Sequence, residues 1–322
     1  MKAAVIYEVG GPDVFRYEVV ADPEVGPKDL LVRMQFVSIE GGDTLNRLRG
    51  EHQVFPHIVG YQAAGVVESI GSGVANFEKG DRVVTVGQDG SHAELRSVNE
   101  LFAWKIPDGL DTRAASSVPV PWGTAHDCLF EFGRIQAGET ALIHAGASGV
   151  GIAAIQLAKR AGATVLATAS SDQRLERLRA YGMDHGINYA REDFVVKVRE
   201  LTEGRGADVI VDSIGGSNLQ KSLHCLAYRG RCLTFGDAGR EETTKLDIST
   251  MRGNNQSLTG YFLGAELFLA PRAHQMVADI LDDMAKGSLE AVTDKEFTLE
   301  RAGEAHAYIE SRQAFGRVLL TP

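Results

Sequence analysis

The chain has 322 residues, 44% of them hydrophobic and 24% charged, which suits two ordinary soluble domains with substantial cores. A formal net charge of −10, from 33 Lys and Arg against 43 Asp and Glu, argues against nucleic acid or an anionic membrane as the main partner. The three cysteines are scattered, with no C-x-x-C, which excludes a disulfide framework and a thiolate zinc site, and no apolar run reaches the roughly 18 residues of a membrane span. The opening apolar run is too short for a signal peptide, so the expected location is the cytoplasm.

Residues 2–7, 29–38, 64–70, 82–86 and 93–98 read as short strands. Gly10-Gly11-Pro12, Gly26-Pro27, Gly71-Ser72-Gly73 and Lys79-Gly80-Asp81 supply the turns, and together they predict a compact barrel-like domain. Within it, Glu40-Gly41-Gly42-Asp43 opens a candidate helix at 44–49, so the two carboxylates either cap that helix or face a cleft. His52 and His57 flank a short loop but have no third ligand nearby, so no metal is expected there. Pro119 and Pro121 bracket a turn before a helical segment at 122–132, which places a domain boundary near Pro121.

An apolar run at 141–145 then ends in a turn of small residues in which Gly146, Gly149 and Gly151 read G-x-x-G-x-G, and helical composition continues from Gly149 to Lys159. A strand passing through such a turn into a helix start suits a pyrophosphate, since glycines admit a ligand to the backbone and the helix offers unpaired N–H groups. A second strand at 163–169 and a helix at 172–181 complete a dinucleotide-binding half. The strand ends Ala169-Ser170-Ser171, without the acid that would hold a ribose 2′-hydroxyl, and Arg174 follows. Hydroxyls and a guanidinium suit a 2′-phosphate, while Asp172 fits the first turn of a Ser-capped helix. Strands at 185–188, 207–212, 230–236 and 257–262 alternate with helices at 194–201 and 219–226, which predicts a parallel sheet. A one-sided helix at 273–285 follows, and residues 296–322 return to strand, helix and strand, closing the first domain.

Several motifs carry a resemblance along nearly the whole chain. They include the run from Gly60 to Val67, Lys79-Gly80-Asp81-Arg82-Val83, Gln136-Ala137-Gly138-Glu139, the glycine turn, Asp212-Ser213-Ile214-Gly215-Gly216, Gly230-Arg231, Phe235-Gly236, and the closing run from Phe315 to Pro322. In order and spacing the chain resembles the zinc-independent quinone oxidoreductases, the zeta-crystallin-like branch of the medium-chain dehydrogenase/reductase superfamily. The resemblance implies an α/β fold: a Rossmann doubly wound parallel-sheet domain at 122–289 plus a GroES-like, partly open β-barrel catalytic domain at 1–121 and 290–322. It also implies NADPH and substrate in the cleft between them, and a homodimer joined at the edge strand that runs into Phe262.

Carried over by matched position, Gly146, Ser148, Gly149, Val150 and Gly151 lie against the pyrophosphate. Ser170, Ser171, Arg174 and Tyr189 surround the 2′-phosphate. Phe235, Gly236, Phe262 and Leu263 border the nicotinamide half, and Thr124 touches its ring. Glu40 and Asp43 are candidate proton donors. In zinc-bearing relatives cysteine and histidine ligands stand where this chain has Glu40 and Tyr61, so no zinc is expected. Among quinone reductases, Glu40 replaces a usual asparagine, Leu45 stands where some members have a tyrosine, and Gln62 replaces a usual glutamate. The expected reaction is NADPH-dependent hydride transfer to a small-molecule acceptor, a quinone or a conjugated enone or enal. The alternatives are reduction of acyl-CoA-type or carbonyl substrates, or NADPH binding with little turnover.

Overall fold

The computed structural model describes residues 1–241 and 245–322. They divide into two compact units, Met1–Val120 with Ala270–Pro322, and Pro121–Leu269.

The first unit is organised on the strand Asp29–Ser38, whose alternating sequence turns Leu30, Val32 and Met34 inward and leaves Arg33 and Gln35 exposed. This strand pairs antiparallel with Gln62–Ile70, Leu95–Asn99 and Arg317–Thr321. The sheet path runs Thr293–Thr298, Arg317–Thr321, Asp29–Ser38, Gln62–Ile70, Arg82–Val86, Ala103–Lys105, as a partly open structure. Its core joins Leu30, Val32, Val67 and Val83 to Leu299, Val318 and Leu320, each such side chain worth about 1.5–3 kcal/mol when buried. The chain's last strand therefore does complete the first unit.

One boundary differs from expectation. The helix Pro271–Ala285, placed by sequence in the Rossmann domain, belongs to the first unit, which resumes at Ala270 rather than 290. Its amphipathic pattern says that one face is covered but not by what. The cover includes Trp104, whose Nε1 donates to the carbonyl of His274 (2.9 Å) and whose ring stacks on that histidine.

The second unit holds a six-stranded parallel sheet in the order His185–Asn188, Thr164–Ala169, Thr140–Ile143, Ala207–Asp212, Leu226–Thr234, Ser257–Gly260. Numbered along the chain this is 3-2-1-4-5-6, the doubly wound order, and the inner strands are mostly apolar and buried, with polar residues such as Asp208, Asp212 and Thr168 among them. Two elements differ from the sequence reading. The helix expected at 219–226 spans Gly216–His224, and Leu226 opens the next strand, where it is buried opposite Ala207. The helical segment expected at 122–132 starts at Pro119 and, after His126, widens to π geometry over Asp127–Glu131, with the Phe132 N–H bonding Asp127 O (3.0 Å). Cys128, Cys225 and Cys232 are free and buried here, and burial pushes their thiols up, Cys225 to about 12.

Candidate functional site

Every dinucleotide position expected from the sequence follows the C-terminal end of a parallel strand in the second unit. Gly146, Ser148, Gly149, Val150 and Gly151 follow Thr140–Ile143, and Ser170, Ser171 and Arg174 follow Thr164–Ala169. Tyr189 follows His185–Asn188, Phe235 and Gly236 follow Leu226–Thr234, and Phe262 and Leu263 follow Ser257–Gly260. Ligands of open parallel sheets bind along this edge, at the crevice where the strand order reverses. Here the reversal lies between Thr140–Ile143 and Ala207–Asp212, beside the glycine turn.

The turn is built as a helix start. Ser148 is the N-cap of Gly149–Arg160, its Oγ accepting from the Gly151 N–H (3.0 Å), and the first amides of the helix face outward from a 12-residue dipole. Two of its glycines answer to internal packing rather than to ligand approach. A β-carbon on Gly151 would meet Ala145 O at 2.4 Å, and one on Gly146 would meet Ala167 Cβ and Leu178 Cδ1 at 2.9 Å. Ala145 itself is left-handed, with φ 48°, strained for a residue with a β-carbon.

At the next strand end, Ala169 is buried and Ser170 exposed. Ser171 is the N-cap of Asp172–Arg179, accepting from the Arg174 N–H (3.4 Å). Asp172, in the first turn of that helix, accepts from Asn188 Nδ2 (2.6 Å) and pairs with Arg191. The Arg174 guanidinium, half-buried, makes no hydrogen bond or ion pair among the described residues. The Tyr189 N–H donates to Ala169 O (3.2 Å), which brings that exposed ring to the same strand end. A cavity of about 450 Å³ beyond Tyr189 is lined also by Arg191, Phe194, Asn218 and Lys221, but by none of the other expected positions.

On the far side of the reversal, the Phe235 N–H donates to Asp212 O (3.1 Å), and the Ala238 and Gly239 amides donate to Ser213 O and Ile214 O (3.0 and 2.9 Å). These bonds knit the 213–216 turn to the Phe235-Gly236 turn. Tyr261 donates from its amide to Thr234 O (2.8 Å) and from its hydroxyl to Asp127 Oδ2 (2.9 Å), on the segment that continues the buried Thr124's helix. Leu263 is buried, whereas Phe262 is 74% exposed, so the two differ in kind.

Glu40 and Asp43 lie in the first unit, at the start of the helix Gly41–Arg49, and both are buried. Asp43 Oδ2 accepts from the Glu40 N–H (2.8 Å), one arm of a capping box. The Glu40 carboxylate pairs with Arg317, whose Nε and Nη2 also bond Ser38 Oγ (3.1 and 2.9 Å). Burial pushes the Glu40 carboxyl up, against the opposing pull of Arg317 and Ser38. Burial pushes Asp43 up much further, its Oδ1 finding no partner among the described residues, which favours the protonated acid. Burial likewise pushes the Tyr61 hydroxyl well up. His52 and His57 stack face to face at 3.8 Å, and His52 Nε2 is engaged by Asn46 O (2.9 Å). Among the described residues no group of three or more His, Cys, Asp or Glu is placed to hold a metal ion.

Sequence reasoning passed over four buried polar residues beneath the glycine turn, His144, Thr168, Asp212 and Ser222. For His144, Thr168 and Asp212 the available signal was polarity at the end of an apolar strand, a place where a side chain needs a partner, whereas Ser222 lies on the helix Gly216–His224 and gave none.

Two family models match the chain, one described as an alcohol dehydrogenase GroES-like domain over residues 26–108 and one as a zinc-binding dehydrogenase over residues 149–283. A 2-haloacrylate reductase from Burkholderia sp is 33% identical, covering 99% of this chain and 98% of the relative. A quinone oxidoreductase from Pseudomonas aeruginosa is 32% identical over 97% of each. Among solved structures, that of Escherichia coli quinone oxidoreductase complexed with NADPH superimposes with a TM-score of 0.93 at 26% identity, over all of both chains.

Proposed function

Because the chain belongs to the quinone oxidoreductase family of the medium-chain dehydrogenase/reductase superfamily, we propose that it is an NADPH-dependent reductase of a quinone or a small conjugated enone or enal. When bound, NADPH supplies the hydride. The observation that carries the cofactor assignment is the acid-free strand end with an unengaged Arg174 beside two serines. Asp172, the carboxylate that follows this strand end, is already held by Asn188 and Arg191. Ser148 and the first amides of the helix Gly149–Arg160 hold the pyrophosphate, and Ser170, Ser171, Arg174 and Tyr189 the 2′-phosphate. The relative named a 2-haloacrylate reductase favours a conjugated alkene among the acceptors.

Reduction of such an acceptor needs a proton as well as a hydride. Glu40 is committed to Arg317 and Asp43 to the Glu40 amide, so water is the proposed source rather than either carboxyl. That same pair supports the absence of zinc, since the Glu40 carboxylate already has a cation. No helix among the described residues is long and apolar enough to cross a membrane, and a cytoplasmic location remains the proposal. The strand Ser257–Gly260 is the edge of its sheet, with Phe262 exposed just beyond it, which supports a homodimer joined there. Light scattering at micromolar concentration should give twice the 34.7 kDa chain mass, and a monomer mass refutes the dimer.

The cofactor experiment is NADPH and NADH oxidation over a panel of quinones and enones, with a chelator present, in wild type and Arg174→Ala. NADPH should be preferred. A charge-assisted hydrogen bond is worth roughly 1.5–3 kcal/mol, so Arg174→Ala should weaken NADPH by about 10- to 150-fold and leave NADH nearly unchanged. Equal losses for both cofactors, or a wild-type preference for NADH, would place the phosphate elsewhere. Quenching of NADPH fluorescence without turnover of any acceptor would indicate a binding protein instead.

A further inference from the structure

A continuous buried polar chain runs under the switch point of the second unit's sheet. The Ala145 N–H donates to Thr168 Oγ1 (3.3 Å), and Thr168 Oγ1 lies 3.1 Å from His144 Nδ1. His144 Nε2 lies 3.0 Å from Ser222 Oγ, which in turn reaches Asp212 Oδ2 (3.4 Å) and Asn218 O (3.0 Å). Asp212 Oδ1 accepts from the Ile214 and Gly215 amides (2.6 and 2.9 Å), and its Oδ2 accepts from Asn218 Nδ2 (3.1 Å). None of His144, Thr168, Asp212 or Ser222 is more than 3% exposed. The chain thus links the strained Ala145 at the head of the glycine turn to the 213–216 turn, across the crevice where the strand order reverses.

One pattern of hydrogens gives every hydroxyl an acceptor. Ser222 Oγ faces two groups that only accept, Asn218 O and Asp212 Oδ2, so its one proton goes to them and its oxygen accepts from His144 Nε2–H. His144 Nδ1 then accepts from the Thr168 hydroxyl, whose oxygen takes the Ala145 amide. His144 is the neutral Nε2–H tautomer in this pattern. Burial lowers its pKa in the same sense against the pull of Asp212, the charged group facing it, while the Phe194 ring meets its edge at 4.8 Å.

We propose that His144 is a positioning residue for the dinucleotide, holding the glycine turn and the 213–216 turn at a fixed spacing so that the crevice is ready for the cofactor before it binds. The proposal rests on the NADPH reading above. An imidazole is the natural bridge because its two nitrogens point in different directions, one accepting from the first turn's side and one donating to the second's. A phenyl ring of similar size can do neither, and an amide, though it carries one acceptor and one donor, holds them at the end of a more flexible side chain.

Fluorescence titration with NADPH, steady-state kinetics and urea denaturation of His144→Phe, His144→Gln and Ser222→Ala test this. His144→Phe removes both bonds and should raise the NADPH Kd by about 10-fold, with a smaller loss in kcat. His144→Gln, which keeps a donor towards Ser222, should recover part of the affinity, and Ser222→Ala should weaken NADPH by a few-fold, roughly one neutral hydrogen bond. Variants of lower stability that bind NADPH as tightly as wild type would reduce His144 to a core residue and overturn the proposal. If His144→Phe does not fold, Ser222→Ala decides, because it removes a hydroxyl alone. Failure of the wild type to bind NADPH would instead remove the cofactor reading.

Discussion

Glu40→Gln lowers stability by about 3–5 kcal/mol, the cost of leaving a buried partner charge uncompensated. The sequence offered two roles for Glu40, a helix cap worth about 0.5–2 kcal/mol or a cleft acid, and neither anticipates this size. Its carboxylate is opposite Arg317, with side-chain exposures of 4% and 10%, so solvent screens the pair little. Glutamine can still accept a hydrogen bond but carries no charge, and the Arg317 guanidinium remains fixed by Ser38 and Ile39 O. Thermal melting should fall on the order of 10 °C for a unit of this size.

A double variant, Glu40→Leu with Arg317→Met, should recover most of the loss, because a buried ion pair replaced by apolar groups of similar volume is often neutral or stabilising. Turnover at a temperature where Glu40→Gln is folded should persist. Unchanged melting with a collapsed kcat would mean instead that Glu40 delivers the proton.

The second expected result is a loss of stability on mild acidification. His92 and His306 are fully buried with their Nε2 atoms 2.9 Å apart, flanked by the Phe15 ring. One hydrogen fits between two nitrogens, so a second proton would set two N–H groups against each other. Burial, with Arg96 adding, lowers His92 to about 3; burial, then His92 and Arg47, lower His306 well below its usual value. Between about 6.5 and 3 the unfolded chain binds protons that the folded chain refuses, so stability present above 6.5 falls as the pH falls. At pH 5.0 this amounts to about 2 kcal/mol for His92, at 1.36 kcal/mol per pH unit, and His306 and His144 act in the same sense. Carboxylates with lowered values, such as Glu100, Glu139 and Asp184, contribute only further into acid.

Urea midpoints at pH 7.5 and 5.0 therefore read the histidines against the opposite contribution of Asp43 and Glu40, whose raised carboxyls favour the folded state as the pH falls, and a variant without this histidine pair separates the two. The wild type should lose several tenths of its stability, and His92→Phe with His306→Leu, which removes both titrating groups without orphaning either, should lose clearly less. Identical losses would refute the histidine assignment.

The sequence by itself determined the parallel sheet, the helix start at Ser148 and the acid-free strand end before Arg174, because each depends on local chemistry: apolar runs, a capping hydroxyl and the residue type at one turn. It also determined that the last strand returns to the first domain. Only the tertiary structure decided the rest, and the reason is long-range pairing. Glu40 is 277 residues from Arg317, His92 is 214 from His306, and His144 is 78 from Ser222. No period or motif records which polar side chain will meet which across such separations. The helix Pro271–Ala285 shows the same limit in packing, since its one-sided pattern announced a buried face and left its partner open.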